Sequence, residues 1–218
     1  MNSSNNWFQP LECRRLLSAV IDSSGVLVVT ADSGKNKIIV YLKQDDASKL
    51  LVREDGQVTQ FNLSEITTGI RVSAQGGKDK IAVDETYGAL TKNVTIFGGN
   101  GKDDIYGGSG NDRLDGGTGK DRIFGRGGND RIIGHSGNDV LEGEDGNDYI
   151  TGDAGADTIG GGAGEDDLNG GGSQDNITGG AGNDDFIDFD TAAERQDDTA
   201  EDNGNNSLLD QSDQDPLS

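Results

Sequence analysis

Ten aspartates stand nine residues apart between residues 103 and 184, and each is followed two positions later by an aliphatic or aromatic residue. The repeating unit reads Gly-Gly-x-Gly-x-Asp-x-U-x with U apolar, as in Gly107 to Asp115. Closely spaced carboxylates, together with the accessible carbonyls of glycine-rich turns, provide the oxygen ligands that Ca²⁺ prefers. The spacing therefore predicts metal binding. The aspartates are Asp103, Asp112, Asp121, Asp130, Asp139, Asp148, Asp157, Asp166, Asp175 and Asp184.

Each unit combines a bend with a short strand. The six glycine-rich residues can turn sharply, because glycine accepts positive φ and allows two backbones to approach closely. In the x-U-x segment side chains alternate between faces, so U points inward and its neighbours point outward. The predicted inward residues are Ile105, Leu114, Ile123, Ile132, Leu141, Ile150, Ile159, Leu168, Ile177 and Phe186.

Two units make one coil of eighteen residues, so Asp103 stacks on Asp121 and Asp112 stacks on Asp130. Adjacent parallel strands lie ~4.8 Å apart. At that separation stacked carboxylates repel one another unless a cation lies between them.

The chain resembles the hemolysin-type calcium-binding family, the RTX nonapeptide repeats, over residues 98–190. The resemblance implies an all-β fold, a right-handed parallel β-roll or β-helix solenoid, in which each Ca²⁺ lies between two same-side loops. Carried over, it implies a first site made by Gly98, Asn100 and Asp103 with Gly117, Gly119 and Asp121. The other implied ligands are Gly108, Gly110, Asp112, Asp130, Asp139, Asp148, Asp157, Asp166, Asp175 and Asp184.

Pairing the ten loops in this way gives up to about eight Ca²⁺ ions. Four second positions hold Arg126, His135, Glu144 and Asp153 in place of glycine, and these residues still present a carbonyl. Ser173 replaces the fourth-position glycine of the ninth unit, which predicts a weaker or distorted 157–175 site.

The charge of the chain is concentrated in the repeats. Residues 98–190 hold 21 acidic and 6 basic side chains, a net charge of −15, whereas residues 1–97 hold 11 of each. One apolar residue in nine is too small a core to offset the entropy lost on ordering the unit. Metal binding must supply the difference, so folding and binding form one equilibrium. Without Ca²⁺, the composition favours a disordered glycine-rich linker.

Upstream, residues 25–97 predict a β-rich cap that covers the open end of the coil. Residues 57–61 are predicted to pair with residues 49–53 across a turn at Asp55-Gly56. Residues 74–82 contain a degenerate repeat, and residues 94–96 add a strand without a metal. We expect the acidic tail, residues 191–218, to be disordered.

Residues 11–19 are similar to the LEPR-XLL segment of large bacterial surface and secreted proteins, with Cys13 at the proline of that motif. We expect residues 1–24 to form a flexible leader. No apolar stretch is long enough for a transmembrane span. A lone Cys13 excludes an internal disulfide.

Two classes of function remain. The first is a non-enzymatic calcium-binding scaffold or adhesion protein, secreted or held on the surface of a bacterium, with a cell-surface or matrix partner. The alternative is a secreted enzyme or toxin that uses the repeats for folding and export. Residues 1–97 contain no histidine, no His-Glu-x-x-His helix and no Gly-x-Ser-x-Gly turn, so we expect no enzyme. A net charge of −22 repels phosphates, and the chain is expected to have no basic patch with aromatics, so we expect no nucleic-acid partner.

Overall fold

The computed structural model describes residues 18–186 and the backbone of residues 199–201 and 207–208. Nine strands precede the regular repeats. They are β1 (Ser18–Ile21), β2 (Val26–Thr30), β3 (Lys37–Lys43), β4 (Asp46–Glu54), β5 (Gln57–Asn62), β6 (Gly69–Ser73), β7 (Gly76–Gly77), β8 (Lys80–Asp84) and β9 (Val94–Gly101). A 3₁₀ turn lies at Leu63–Glu65.

The repeats contribute ten short strands, followed by two more. They are β10 (Asp104–Tyr106), β11 (Arg113–Thr118), β12 (Arg122–Gly127), β13 (Arg131–Ser136), β14 (Val140–Asp145), β15 (Tyr149–Ala154), β16 (Thr158–Ala163), β17 (Asp167–Asn169), β18 (Asn176–Ala181), β19 (Asp185–Phe186), β20 (Thr199–Glu201) and β21 (Ser207–Leu208). No helix in the described residues is long and apolar enough to cross a bilayer.

Successive strands alternate between two long sheets. The first sheet has the order β1-β2-β6-β9-β11-β13-β15-β17-β19-β21, with β7 also paired to β9. The second has the order β20-β18-β16-β14-β12-β10-β8-β3-β4-β5. Neighbouring repeat strands pair in parallel with an offset of eighteen residues, as in Leu114 with Ile132 and Ile123 with Leu141. The predicted parallel β-roll and its eighteen-residue coil are confirmed.

The core consists of two inward ladders, one from each sheet. All ten predicted U residues are buried, with at most 7% of their surface exposed. The ladders continue into the cap, because Ile96 pairs with Leu114 and Ile81 pairs with Ile105. Cap and coil therefore share one continuous hydrophobic core.

The predicted hairpin in the cap is confirmed. Strands β4 and β5 are antiparallel, with Arg53 opposite Val58. Asp55 and Gly56 both have positive φ, 44° and 94°. Two left-handed residues give the twist that a two-residue hairpin loop needs.

Strand structure also occurs inside two segments that were expected to lack it. Within the segment expected to be a flexible leader, Ser18–Ile21 forms β1 and pairs antiparallel with β2. The two strands form a local hairpin across residues 22–25, in which Gly25 has φ 78° and its backbone N–H donates to the backbone oxygen of Asp22. Within the expected disordered tail, β20 pairs with β18 and β21 pairs with β19. The rest of the tail and residues 11–17 of the LEPR-like segment lie outside the described residues.

The outer face of the second sheet carries a cluster of basic and aromatic side chains that was not evident from the sequence. Tyr106 and Phe124 stack with ring centroids 5.2 Å apart. Lys80 and Arg126 lie over the Tyr106 ring at 4.8 and 5.6 Å, and Arg122 lies over the Phe124 ring at 5.4 Å. Each such contact contributes roughly 0.5–1 kcal/mol, so the cluster stabilises the junction of β8, β10 and β12.

Candidate metal centre

The aspartates of the repeats form two hydrogen-bonded ladders, one along each side of the coil. The backbone N–H of Asp103 donates to Oδ1 of Asp121 at 2.7 Å, and that of Asp112 donates to Oδ1 of Asp130 at 2.7 Å. The same bond, at 2.7–3.1 Å, joins residues 121 to 139, 130 to 148, 139 to 157, 148 to 166, 157 to 175 and 166 to 184. The structure therefore brings all ten aspartates together in the eight pairs that the spacing predicts.

The loops that carry these aspartates share one backbone conformation. The second and fourth residues of a typical loop are left-handed, as in Arg126 with φ 81° and Gly128 with φ 101°. At the fourth position stacked loops touch, because a Cβ on Gly119 would overlap the backbone oxygen of Gly101. Carbonyl oxygens of one loop thus lie directly against the next loop.

The carboxylates are buried, and one oxygen of most of them lacks a hydrogen-bond donor. The ten aspartates have at most 4% of their surface exposed. Within the described part of the chain, Oδ2 has no hydrogen-bond partner in Asp103, Asp121, Asp130, Asp139, Asp148, Asp157 and Asp166. An ionised carboxylate that is buried without a compensating partner is strongly unfavourable. The loops therefore require either protons or cations at these oxygens.

The electrostatics of the ladders agree with this requirement. Burial, together with the nearby carboxylates of Asp103 and Asp139, raises the pKa of Asp121 to about 7. Burial likewise raises the pKa of Asp130 to about 8, with added repulsion from Asp112 and Asp148. Burial also raises the pKa to about 6 in Asp112, Asp148, Asp157 and Asp166. The folded ladders therefore resist ionisation, and a bound cation would offset that resistance.

Oxygen donors of this kind fit calcium. Ca²⁺ takes six to eight oxygen ligands in flexible geometry, from carboxylates and backbone carbonyls. Each pair of stacked loops offers two buried carboxylates and several closely approaching carbonyls. A divalent cation there would neutralise both carboxylates at once.

Six overlapping segments match the family model described as RTX calcium-binding nonapeptide repeat (4 copies): residues 89–114, 97–132, 106–141, 124–159, 133–168 and 160–187. The matches lie within residues 89–187, and the ten nonapeptides in this span are RTX repeats. Repeats of this family bind Ca²⁺ and are structural rather than catalytic. Neither a curated protein nor a solved structure matches the chain.

One RTX loop, residues 107–112, departs from the common conformation. Gly108 and Gly110, both implied ligands, lack the positive φ of other second and fourth positions. The backbone N–H of Gly108 donates to Asp112 Oδ2 at 2.9 Å, and Ser109 donates to Glu85. The cause lies on the upstream side of the loop, which packs on Lys92 and Asn93 of the cap, whereas its downstream side stacks on the regular loop 125–130.

The same loop also receives a side-chain cation. The Arg126 guanidinium donates to the backbone oxygens of Gly107 at 3.0 Å and Val83 at 2.7 Å. Its positive charge lies close to carbonyl groups at the 112–130 pair. With Asp112 already accepting an internal hydrogen bond, we expect this pair to hold Ca²⁺ less tightly than the regular pairs do.

A second departure is the loop around Ser173. Strand β17 that precedes it has three residues, whereas the regular repeat strands have six. Beyond it, pairing to β15 continues only as a single bridge between Ala154 and Gly172. Ser173 has φ 117°, a backbone conformation that residues with a Cβ rarely adopt.

Replacing Ser173 with glycine is expected to stabilise the calcium-loaded coil by about 1–3 kcal/mol, because glycine removes the backbone strain. Thermal unfolding in saturating Ca²⁺ measures the change. Ser136, an exposed third-position residue outside the left-handed region, provides the matched control. Ser136→Gly is expected to destabilise slightly, since glycine there only adds conformational entropy to the unfolded chain. Equal melting shifts for the two variants would contradict the explanation.

The ladder does not begin at Asp103, which sequence reasoning took as its first member. The backbone N–H of Asp79 donates to Asp103 Oδ1 at 2.8 Å, and that of Asn36 donates to Asp79 Oδ1 at 2.6 Å. A signal for this existed in the sequence. Gly34-Lys-Asn36-Lys-Ile and Gly77-Lys-Asp79-Lys-Ile share the order of residues found in Gly101-Lys-Asp103-Asp-Ile.

Proposed function

We propose that this protein is an extracellular calcium-dependent scaffold whose repeat region folds on binding Ca²⁺. The observation that carries the proposal is the stack of buried aspartates, seven of which have an Oδ2 without a donor in the described part of the chain. In the unfolded chain water solvates these carboxylates. Folding without a cation would bury them with neither water nor a counter-charge, which is strongly unfavourable. The ion supplies the charge that makes the closed coil stable.

The proposed ligands come from pairs of adjacent same-side loops. In the first site of the repeats, the carboxylates of Asp103 and Asp121 bind the ion. Backbone carbonyls of Gly98 and Asn100 on one loop, and of Gly117 and Gly119 on the other, complete the ligand set. The same scheme along the coil gives up to about eight ions. Sixteen positive charges would then nearly cancel the −15 of residues 98–190.

The architecture supports a scaffold in preference to an enzyme carried on repeats. Upstream of the repeats, residues 18–97 contribute strands to the same two sheets and side chains to the same core. They are built as a cap for the coil and not as a separate domain. RTX proteins are typically secreted by bacteria, and extracellular calcium modules bind at roughly 10⁻⁴–10⁻³ M. Export to the cell surface or medium would therefore start folding.

Circular dichroism of the full chain during a calcium titration tests this proposal. We expect β signal to appear cooperatively with a midpoint of roughly 10⁻⁴–10⁻³ M free Ca²⁺. Mg²⁺ is the control, and it should fail at the same concentrations, because it demands a tighter octahedral shell and dehydrates reluctantly. Equal β content in chelator would contradict calcium-driven folding. A midpoint below about 10⁻⁶ M would contradict an extracellular trigger.

A further inference from the structure

The cap contains a loop with the backbone of an RTX repeat, although it lies outside residues 89–187. This loop, residues 74–79, ends in Asp79. Its second and fourth residues, Gln75 and Gly77, have φ 66° and 130°. These are the positions that are left-handed in the regular loops. Its sequence, Ala-Gln-Gly-Gly-Lys-Asp, keeps the glycine at the fourth position, where the regular loops touch.

The loop stacks on residues 98–103 as one regular loop stacks on the next. Gly76 and Gly77 pair in parallel with Asn100 and Gly101. A Cβ on Gly101 would overlap the backbone oxygen of Gly77, as a Cβ on Gly119 would overlap that of Gly101. The carbonyl oxygens of the cap loop therefore approach the first RTX loop in the same way as those within the array.

The carboxylate of Asp79 provides an independent indication of a ligand. Asp79 is 2% exposed, and Asp103 opposite it is fully buried. In the described part of the chain, neither Asp79 Oδ2 nor Asp103 Oδ2 has a hydrogen-bond partner. Two buried carboxylates, 24 residues apart in sequence and joined through the Asp79 N–H, thus lack a counter-charge at the boundary between cap and coil.

We propose that one further calcium ion binds between residues 74–79 and residues 98–103. Its ligands are the carboxylates of Asp79 and Asp103 together with backbone carbonyls of the two loops. This inference rests on the proposed calcium binding of the repeats. The ion joins the cap to the array across the irregular segment 85–93, and it makes Asp103 a ligand of two ions.

The series of ions ends at Asn36, the next member of the ladder. The side-chain Nδ2 of Asn36 donates to the backbone oxygens of Asp32 and Gly34 at 3.0 and 2.6 Å. The side-chain amide of Asn36 thus occupies two carbonyl oxygens of its own loop. In a calcium site, such carbonyl oxygens would bind the ion. Gly34 also lies outside the left-handed region, unlike the fourth residues of the regular loops. Asn36 therefore closes the ladder without an ion.

Ion counting on the full-length chain tests the proposal. Bound calcium is measured by elemental analysis after equilibrium dialysis against saturating Ca²⁺. Relative to the wild type, Asp79→Asn is expected to lose one ion, Asp103→Asn two, and Asp184→Asn, at the far end, one. The matched control is Asp84→Asn, a neighbouring acid whose carboxylate already accepts from Thr86, and its count should not change.

A second measurement keeps the test decisive if a variant folds poorly. Hydrogen exchange of the amides in β7 and β8 should become slower when Ca²⁺ is added to the wild type, and should respond at least tenfold less in Asp79→Asn. An unchanged count in Asp79→Asn, with Asp103→Asn losing a single ion, would overturn the cap site and leave the repeat sites standing. A wild type that binds no calcium would instead overturn the proposed function itself.

Discussion

Replacing Gly137 with alanine is expected to prevent calcium-induced folding of the middle coils. Gly137 has φ 152°, and a Cβ there would overlap the backbone oxygen of Gly119. The backbone strain alone costs about 1–3 kcal/mol. The overlap adds to this cost, because it displaces a carbonyl that we propose as a calcium ligand. The calcium midpoint of the circular dichroism transition should rise at least tenfold, or the transition should disappear.

Gly127→Ala is the matched control for this prediction. Gly127 occupies a third position, it lies outside the left-handed region, and its nearest neighbour to an added Cβ is Ser109 Cα at 3.9 Å. Alanine there should leave the calcium midpoint within about twofold of the wild type, since it meets no backbone oxygen. If both variants fold at wild-type calcium concentrations, close stacking of the fourth positions is not required for the coil.

The repeating part of the fold could be predicted because a nine-residue period fixes which residues of neighbouring coils pair with each other. Once two units make a coil, Ile132 must lie between Leu114 and Ile150, and Asp121 must stack between Asp103 and Asp139. Each contact repeats a local pattern, so one unit predicts the next. The turn at Asp55-Gly56 could also be predicted, because the residues that favour a hairpin turn lie in the turn itself.

Prediction failed at two kinds of place, where the period is broken and where a regular loop packs on the cap. Asn36, Asp79 and Asp103 form one ladder although they are separated by 43 and 24 residues, neither of which is a multiple of nine. Counting along the sequence cannot align such residues, because the intervening segments bulge out of the coil. The loop 107–112 fits the pattern perfectly, yet it adopts another conformation. Its neighbour in the stack, and not its own sequence, determines its shape.

The basic and aromatic cluster of the second sheet was missed although part of it follows the period. Tyr106 and Phe124 are eighteen residues apart and so lie on neighbouring coils, whereas Lys80 reaches them only across the irregular segment 85–93. The structure therefore weakens one argument against an anionic partner, namely that basic and aromatic residues do not meet. The other argument, the net charge of −22, applies to the chain without calcium.

Acid and calcium should each stabilise the closed coil, and they should compete for the same carboxylates. The raised pKa values mean that the folded, ion-free ladders bind more protons than the unfolded chain above about pH 4. This contribution to stability is complete below the unfolded pKa near 3.8, and it is lost as the pH rises through about 6 to 8. Calcium needs the ionised carboxylates, so its affinity should fall as the pH falls through the same window.

Asp130→Asn separates the two effects, because an amide imitates the protonated carboxyl. Asp130 has the pKa raised to about 8, so its charge opposes ion-free folding at neutral pH. In chelator at pH 7.5, we expect the variant to have a larger folded fraction than the wild type. In saturating Ca²⁺ it should be less stable than the wild type, since two proposed sites lose a carboxylate. Urea unfolding under both conditions measures the change.

The exposed acid Asp145 gives the control for this crossover. Asp145→Asn removes the same charge from the same part of the coil, at a side chain that is solvated in the folded state. It should shift stability by less than about 0.5 kcal/mol in either buffer. A crossover seen only in Asp130→Asn assigns the effect to the buried ladder. If Asp130→Asn destabilises the chain equally with and without calcium, the buried carboxylates are not what prevents the ion-free coil from closing.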